Sequence, residues 1–194
     1  MKNNPFWNDA LKYGAILGAI MSLSMMFETY ILHYSDVPLV KALTIYVVEW
    51  FAVVIVYIWL LVRFTKRYSQ NFAPEEGFTF GQGFGFIIVL AFLVAVIVGM
   101  MNTIFISIAG FDGFIEGYIG RINEMMLYMG ENNLITQSLN EDVEVMVDAV
   151  KHSTQPSMFE SILAAINGYV FSAMLVGAII ALAIRRKPQM INRD

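Results

Sequence analysis

The sequence predicts an all-α, polytopic membrane protein, a four-transmembrane-helix bundle with an external amphipathic helical hairpin between helices 3 and 4. Three observations carry that prediction. Of 194 residues, 58% are hydrophobic and 14% charged, with a mean hydropathy of +0.62; soluble domains run at about 45 to 50% apolar and about 25% charged. Four apolar runs reach the roughly 20 residues that a helix needs to cross a hydrocarbon core of about 30 Å. Between the third and fourth runs lies a segment with helical periodicity and an acidic face. Such a composition excludes an ordinary soluble globule and a disordered chain, and points to a single membrane domain over residues 1–194.

The first run covers 13–32. It could pass for a signal peptide, but Glu28 closes it without a small-residue cleavage pattern, so it reads as an uncleaved span. The others cover 42–62, 84–108 and 161–184. The third and fourth contain no charged residue, and the first two contain one each, Glu28 and Glu49. Helices follow rather than strands because lipid offers no partner to unpaired backbone groups, and unbroken apolar runs lack the period-two alternation of a membrane barrel.

Residues 33–38 are too few for anything but a tight turn, which makes the first two helices an antiparallel hairpin; His33 reads there as a surface residue. The connection over 63–82 carries the turn signal Pro74-Glu75-Glu76-Gly77. After it, Phe78, Phe80 and Phe84 alternate with small residues, read as an interfacial entry to the third helix.

Lysine and arginine set the orientation. Nine of the twelve lie at the termini and in 63–82, namely Lys2, Lys12, Arg63, Lys66, Arg67, Arg185, Arg186, Lys187 and Arg193, against Lys41, Arg121 and Lys151 on the other side. Both termini are therefore expected in the cytoplasm of a bacterial inner membrane, with the hairpin, about 112–155, in the periplasm.

Within that segment Ile115, Tyr118, Ile119, Ile122, Met126 and Met129 recur at helical spacing, with Glu116, Arg121 and Glu124 elsewhere on the wheel. Asn132-Asn133 ends this first helix. The second opens with a capping box, Ser138 and Glu141, and sets Leu139, Val143, Val147 and Val150 against Glu141, Asp142, Glu144 and Asp148. Its acidic face reads either as a solvated surface that keeps the hairpin soluble or as a docking surface for a protein partner. A further capping box, Ser157 with Glu160, starts the last span.

Small residues recur four apart at Gly14, Gly18 and Ser22; at Gly81 and Gly85; at Ala164, Gly168 and Ser172; and at Ala173, Gly177 and Ala181. This is a helix-packing signal, within the chain or in a homo-oligomer. When depth is counted at about 1.5 Å per residue, Glu49, Asn102 and Asn167 fall in one layer, with Glu28 nearer the outer end. The trio reads either as polar glue, Glu49 hydrogen-bonding to Asn102 or Asn167, or as a site where Glu49 and Glu28 hold a proton, a cation or a partner's basic group.

With no cysteine, thiolate metal sites, disulfides and cysteine nucleophiles are excluded. The thirteen methionines read as bundle filler. No catalytic, metal, cofactor or nucleic-acid pattern stands out, so the expectation is a protein that is not an enzyme, whose partners are the bilayer and another protein or copy of itself. Four spans, the F-x-F-G-x-G-F segment over 78–84, the acidic hairpin, Pro156 and a glycine-rich last span ending in Arg185-Arg186-Lys187 resemble the bacterial membrane family catalogued as domain of unknown function 4199. That resemblance implies no assigned reaction; it implies genes lying near those of membrane-associated glycosyltransferases. An accessory or interaction subunit is therefore expected first, and a small proton- or cation-coupled transporter second. A water-filled route to Glu49 favours transport, and a dry, sealed bundle favours the accessory role.

Overall fold

Polar residues flanking each apolar run remain good helix formers, and near a bilayer an amide bonded within a helix costs less than one left to scarce water. The helices accordingly outlast the runs. A computed structural model describes residues 5–132 and 137–188 of the chain. It contains α1 (Pro5–Thr29), which runs on into a π-helical turn (Tyr30–Tyr34), α2 (Leu39–Ser69), α3 (Phe80–Ala109), α4 (Phe111–Glu131), α5 (Gln137–Lys151) and α6 (Met158–Ile184). Among the described residues there is no strand, only an isolated antiparallel bridge between Phe78 and Arg186. Four helical segments, Phe6–Tyr34, Leu39–Ser69, Phe80–Ala109 and Met158–Ile184, are long and apolar enough to cross a membrane, as a membrane protein requires.

The most apolar helix, α3, is the hub, packed between α1 and α6. Two of the small-residue rows make its seams. A Cβ on Gly18 would lie 2.6 Å from Ile97 Cδ1, and one on Gly177 would lie 2.8 Å from Ile87 Cγ2. At Gly99 the approach is backbone to backbone: a Cβ would lie 2.5 Å from Ile162 Cα. The other two rows lie outside these seams, since a Cβ on Gly81, Gly85 or Gly168 would meet nothing within 4 Å.

α2 packs unevenly. Its half nearer the termini buries Tyr57, Leu60, Leu61, Phe64, Thr65, Tyr68 and Ser69, whereas in the other half only Ala42 is buried. Tyr68 stacks on Phe86 at 4.2 Å and meets Phe78 edge-on at 5.9 Å. Phe78 is fully buried rather than interfacial. The cause is local: Gly77 takes a φ of +70°, open to glycine at little cost, and turns the chain so that Phe78 pairs with Arg186 through N···O contacts of 2.9 and 2.8 Å. α3 then starts at a Thr79–Gln82 capping box.

At the opposite end α4 lies on the π-helical turn. Its apolar stripe from Ile115 to Met129 faces inward, with Ile122 buried. Two side chains depart from expectation. Arg121, expected toward solvent, turns inward and donates to the carbonyls of Ile31, Leu32, Ser35 and Val37. His33 is half-buried, its ring 4.3 Å from that of Phe114 and 5.7 Å from that of Tyr118. Both follow from the turn's exposed carbonyls and apolar side chains, which α4 covers. α5 packs only against α4 among the described elements. Asn133 and the side chains of Ser138 and Leu139, hence the Ser138–Glu141 capping box, lie outside the described residues, as do Lys2 and Arg193. The Ser157–Glu160 box is present at the start of α6.

Candidate functional site

Because α2 is held at its terminal half and stands off elsewhere, a cavity of about 1030 Å³ remains between it and the layer of α1, α3 and α6. α2 and α6 close on each other at Tyr57 and Tyr169, whose rings meet at 6.0 Å. From there the cavity extends to Thr154, Pro156 and Glu160 at the α4 end. Trp50, Ala164, Gly168 and Ser172 on its walls are exposed, so it is an open cleft between α2 and α6 rather than a sealed void.

An acidic pair stands at its wall, Glu28 on the wall itself and Glu49 behind it. Glu28 on α1 lines the cleft, close enough to Glu49 on α2 for the two carboxyls to interact. Glu49 Oε1 accepts a short hydrogen bond from the Ser24 hydroxyl, one turn from Glu28 on α1. Glu49 Oε2 is buried with no hydrogen-bond partner among the described residues. Tyr169 lies within electrostatic reach of both carboxyls and of Tyr57. Tyr57 is 8% exposed and lines the cleft, and its hydroxyl has no partner either. The cleft-lining residues include no lysine, arginine or histidine among those described.

Of the expected polar layer, Glu28 and Glu49 come together, and Asn102 lines the same cleft as Glu28, from α3. Asn167 does not. It is exposed, on the flank of α6 between the face that seats Ala173 and Gly177 on α3 and the face that lines the cleft. The group that meets Glu49 is the hydroxyl of Ser24, on the neighbouring helix α1, and not the amide of either asparagine. The row Ala164, Gly168 and Ser172 makes a thin wall of the cleft. On α5, Glu141, Asp142, Glu144 and Asp148 are exposed, and Val143, Val147 and Val150 are half-buried.

Sequence reasoning missed Tyr57, Tyr169, Tyr46 and Trp50, which give the cleft its aromatic walls. A signal was available in part, since Ser24 and Glu28 stand one helical turn apart on α1.

Chemically the arrangement offers two adjacent carboxyls, hydroxyl groups and aromatic faces in a mainly apolar setting, the make-up of a binding site. Neither a curated protein nor a solved structure matches the chain. The model of one family, described as a protein of unknown function, DUF4199, matches residues 12–186, from α1 to the clasp at Arg186, and the chain belongs to that family.

Proposed function

We propose that the chain is a non-enzymatic accessory or interaction protein of the bacterial inner membrane, which binds a ligand or partner group in its acidic cleft in support of a membrane-associated glycosyltransferase or another envelope complex. One observation carries this reading. Glu28, on the wall of a cavity of about 1030 Å³, stands against Glu49, whose buried Oε2 meets no hydroxyl or N–H donor among the described residues, where a purely structural acid would be paired with a donor or a base. The excess of lysine and arginine near the termini supports a cytoplasmic placement of that end, and so a periplasmic placement of α4 and α5. There the exposed acidic residues of α5 form a docking surface for a protein partner or a second copy of the chain.

A second reading, proton- or cation-coupled transport, is favoured by one feature: the cleft is open, and Glu28 lies on its wall. Both readings need the cleft empty enough to be used. Gly168→Trp is designed to fill it from a wall position where a Cβ meets nothing within 4 Å. In a strain lacking the gene, Gly168→Trp is expected to fail to restore the wild-type envelope phenotype, while Asn167→Trp, on the outer flank of the same helix, restores it. Full restoration by Gly168→Trp would remove the cleft from both readings. Reconstituted vesicles separate the two. Glu49-dependent movement of protons or cations supports transport, and co-purification of a partner without any such movement supports the accessory role.

A further inference from the structure

The cleft has a chemical character that selects its occupant. Resting on the reading of the cleft as a binding site, we propose that it takes an organic cation, an ammonium-bearing amphiphile whose head sits against Glu28, with Glu49 behind it, and against the surrounding aromatic rings, while its apolar tail lies along the open side between α2 and α6. The first argument is charge. Two carboxyls this close cannot both ionise without repelling each other, and no basic side chain among the described residues of the cleft offsets them. A cation beside both removes that repulsion.

Unmet hydrogen bonding gives the second argument. Among the described residues the buried Glu49 Oε2 meets no hydroxyl or N–H donor and the buried Tyr57 hydroxyl has no partner, and Tyr57 is more than nine-tenths buried on the cleft wall. An ammonium N–H supplies a donor to the Glu28–Glu49 carboxyl pair, in a charge-assisted bond at Glu28 on the wall. Aromatic faces give the third. Tyr46, Trp50, Tyr57 and Tyr169 line the same space, and aromatic rings attract organic ammonium groups through their quadrupoles, most strongly where water is excluded.

Size and lining exclude the competing occupants. A bare metal ion takes six or more oxygen ligands at close range, whereas no group of three or more His, Cys, Asp or Glu among the described residues could hold one. A partner's membrane helix, about 10 Å across and about 30 Å long, is more than twice the volume of the cleft. A cavity of about 1030 Å³ suits one small molecule. Met21, Met25, Val53, Val54, Ile58 and Val98 provide apolar contact for its tail.

The test uses the full chain in lipid nanodiscs, with dodecylammonium as probe and dodecanol as its uncharged counterpart. Saturable binding of the ammonium probe is expected. It should weaken at least about tenfold in Glu28→Gln and in Glu49→Gln, and be lost in the double variant, at unchanged melting temperature. Asn167→Ala should bind as the wild type does, and sodium or calcium should not compete. Equal binding by the double variant and the wild type would overturn the proposal. So would calcium displacing the probe at micromolar concentration, which would assign the site to a metal ion. Dodecanol binding in the cleft, blocked by Gly168→Trp and indifferent to both glutamates, overturns the cation and keeps the cleft as a binding site. Failure of both probes to bind, together with a functional Gly168→Trp protein, overturns the proposal and the cleft reading at once. If Glu49→Gln does not fold, Glu28→Gln carries the same comparison, because it leaves in place the Ser24–Glu49 contact that ties α1 to α2.

Discussion

Arg121 and Glu124 stand one turn apart on α4 and grip the two sides of a single turn. The Arg121 guanidinium donates to four carbonyls between Ile31 and Val37, at 2.6 to 3.1 Å. Glu124 Oε2 accepts from the Leu39 amide at 2.8 Å, at the first residue of α2, and pairs with Arg121 at 3.0 Å. A helix that ends leaves carbonyls unbonded and one that begins leaves amides unbonded. α4 therefore supplies a cation to the first and an anion to the second, each where the helix dipole favours it.

This predicts that arginine cannot be replaced at 121. Alanine there leaves four carbonyls without their donor, and a cost of about 2 to 3 kcal/mol in thermal unfolding is expected, since bonds from charged groups contribute most. Lysine, with one nitrogen in place of a planar fork, should recover less than half of that loss. Hydrogen exchange should quicken at 30–39 in both variants. A lysine variant as stable as the wild type would show that the fork geometry contributes nothing.

A second prediction contrasts two glycines of α3. At Gly99 a methyl group would sit 2.5 Å from the Ile162 backbone, so Gly99→Ala forces α3 and α6 apart, at about 1 to 3 kcal/mol. At Gly85 a methyl meets nothing within 4 Å, and Gly85→Ala should be neutral or slightly stabilising, as helix propensity alone dictates. Melting curves of the two purified variants settle the comparison, and equal losses would contradict it.

The Ser24–Glu49 contact predicts an asymmetry between its partners. With Glu49→Leu the Ser24 hydroxyl can turn to the carbonyl four residues back on its own helix, as Ser22 does to Gly18 at 2.7 Å, so little stability should be lost. Ser24→Ala instead leaves Glu49 Oε1 without its hydroxyl donor, at a cost on the order of 1 to 3 kcal/mol. Equal destabilisation by the two substitutions would mean that the serine has no such alternative.

Proline at Val147 should break α5, for an interior proline costs about 3 kcal/mol or more. Because α5 packs only against α4 among the described elements, the loss should stay local. Helicity should fall by a few residues and protease sensitivity rise near 147, while the four long helices melt as in the wild type. A lowered melting temperature for the whole protein would reveal contacts of α5 beyond α4.

Orientation is open to direct measurement, since the chain contains no cysteine and any one introduced is unique. Asp142 and Lys187 are both exposed and lie at opposite ends of the bundle. Cysteine at 142 should react with an impermeant thiol reagent in intact cells whose outer membrane admits it, and cysteine at 187 only after lysis. The reverse pattern would invert the placement of α4 and α5.

The spans were legible because hydrophobic length is a property of consecutive residues, as was the inward stripe of α4. What sequence left hidden depends on which residues of different helices meet. Phe78 looked interfacial because its neighbours alternate aromatic and small, and nothing local announces the bridge to Arg186. Asn167 fell in the right layer because depth is a matter of counting, while its direction depends on how α6 is rotated by the seating of Ala173 and Gly177 on α3. The cleft was beyond reach for the same reason. It exists because α2 packs along half its length, and no periodicity in α2 separates the packed half from the free one.

The pairing of Phe78 with Arg186 has a bearing on how the protein is made. Synthesis proceeds from the amino terminus, so α1, α2 and α3 are in the membrane before the residue that clasps the start of α3 exists. Throughout the making of 110–184 the face of α3 that carries Gly83 and Gly99 lacks its cover, and a backbone groove of that kind accepts any helix with a small-residue row. Only when Arg186 emerges can its amide and carbonyl meet those of Phe78 and fix the last helix in register. The closing step of assembly thus falls to the final few residues of the matched region, and a chain cut before them would have every span and no clasp.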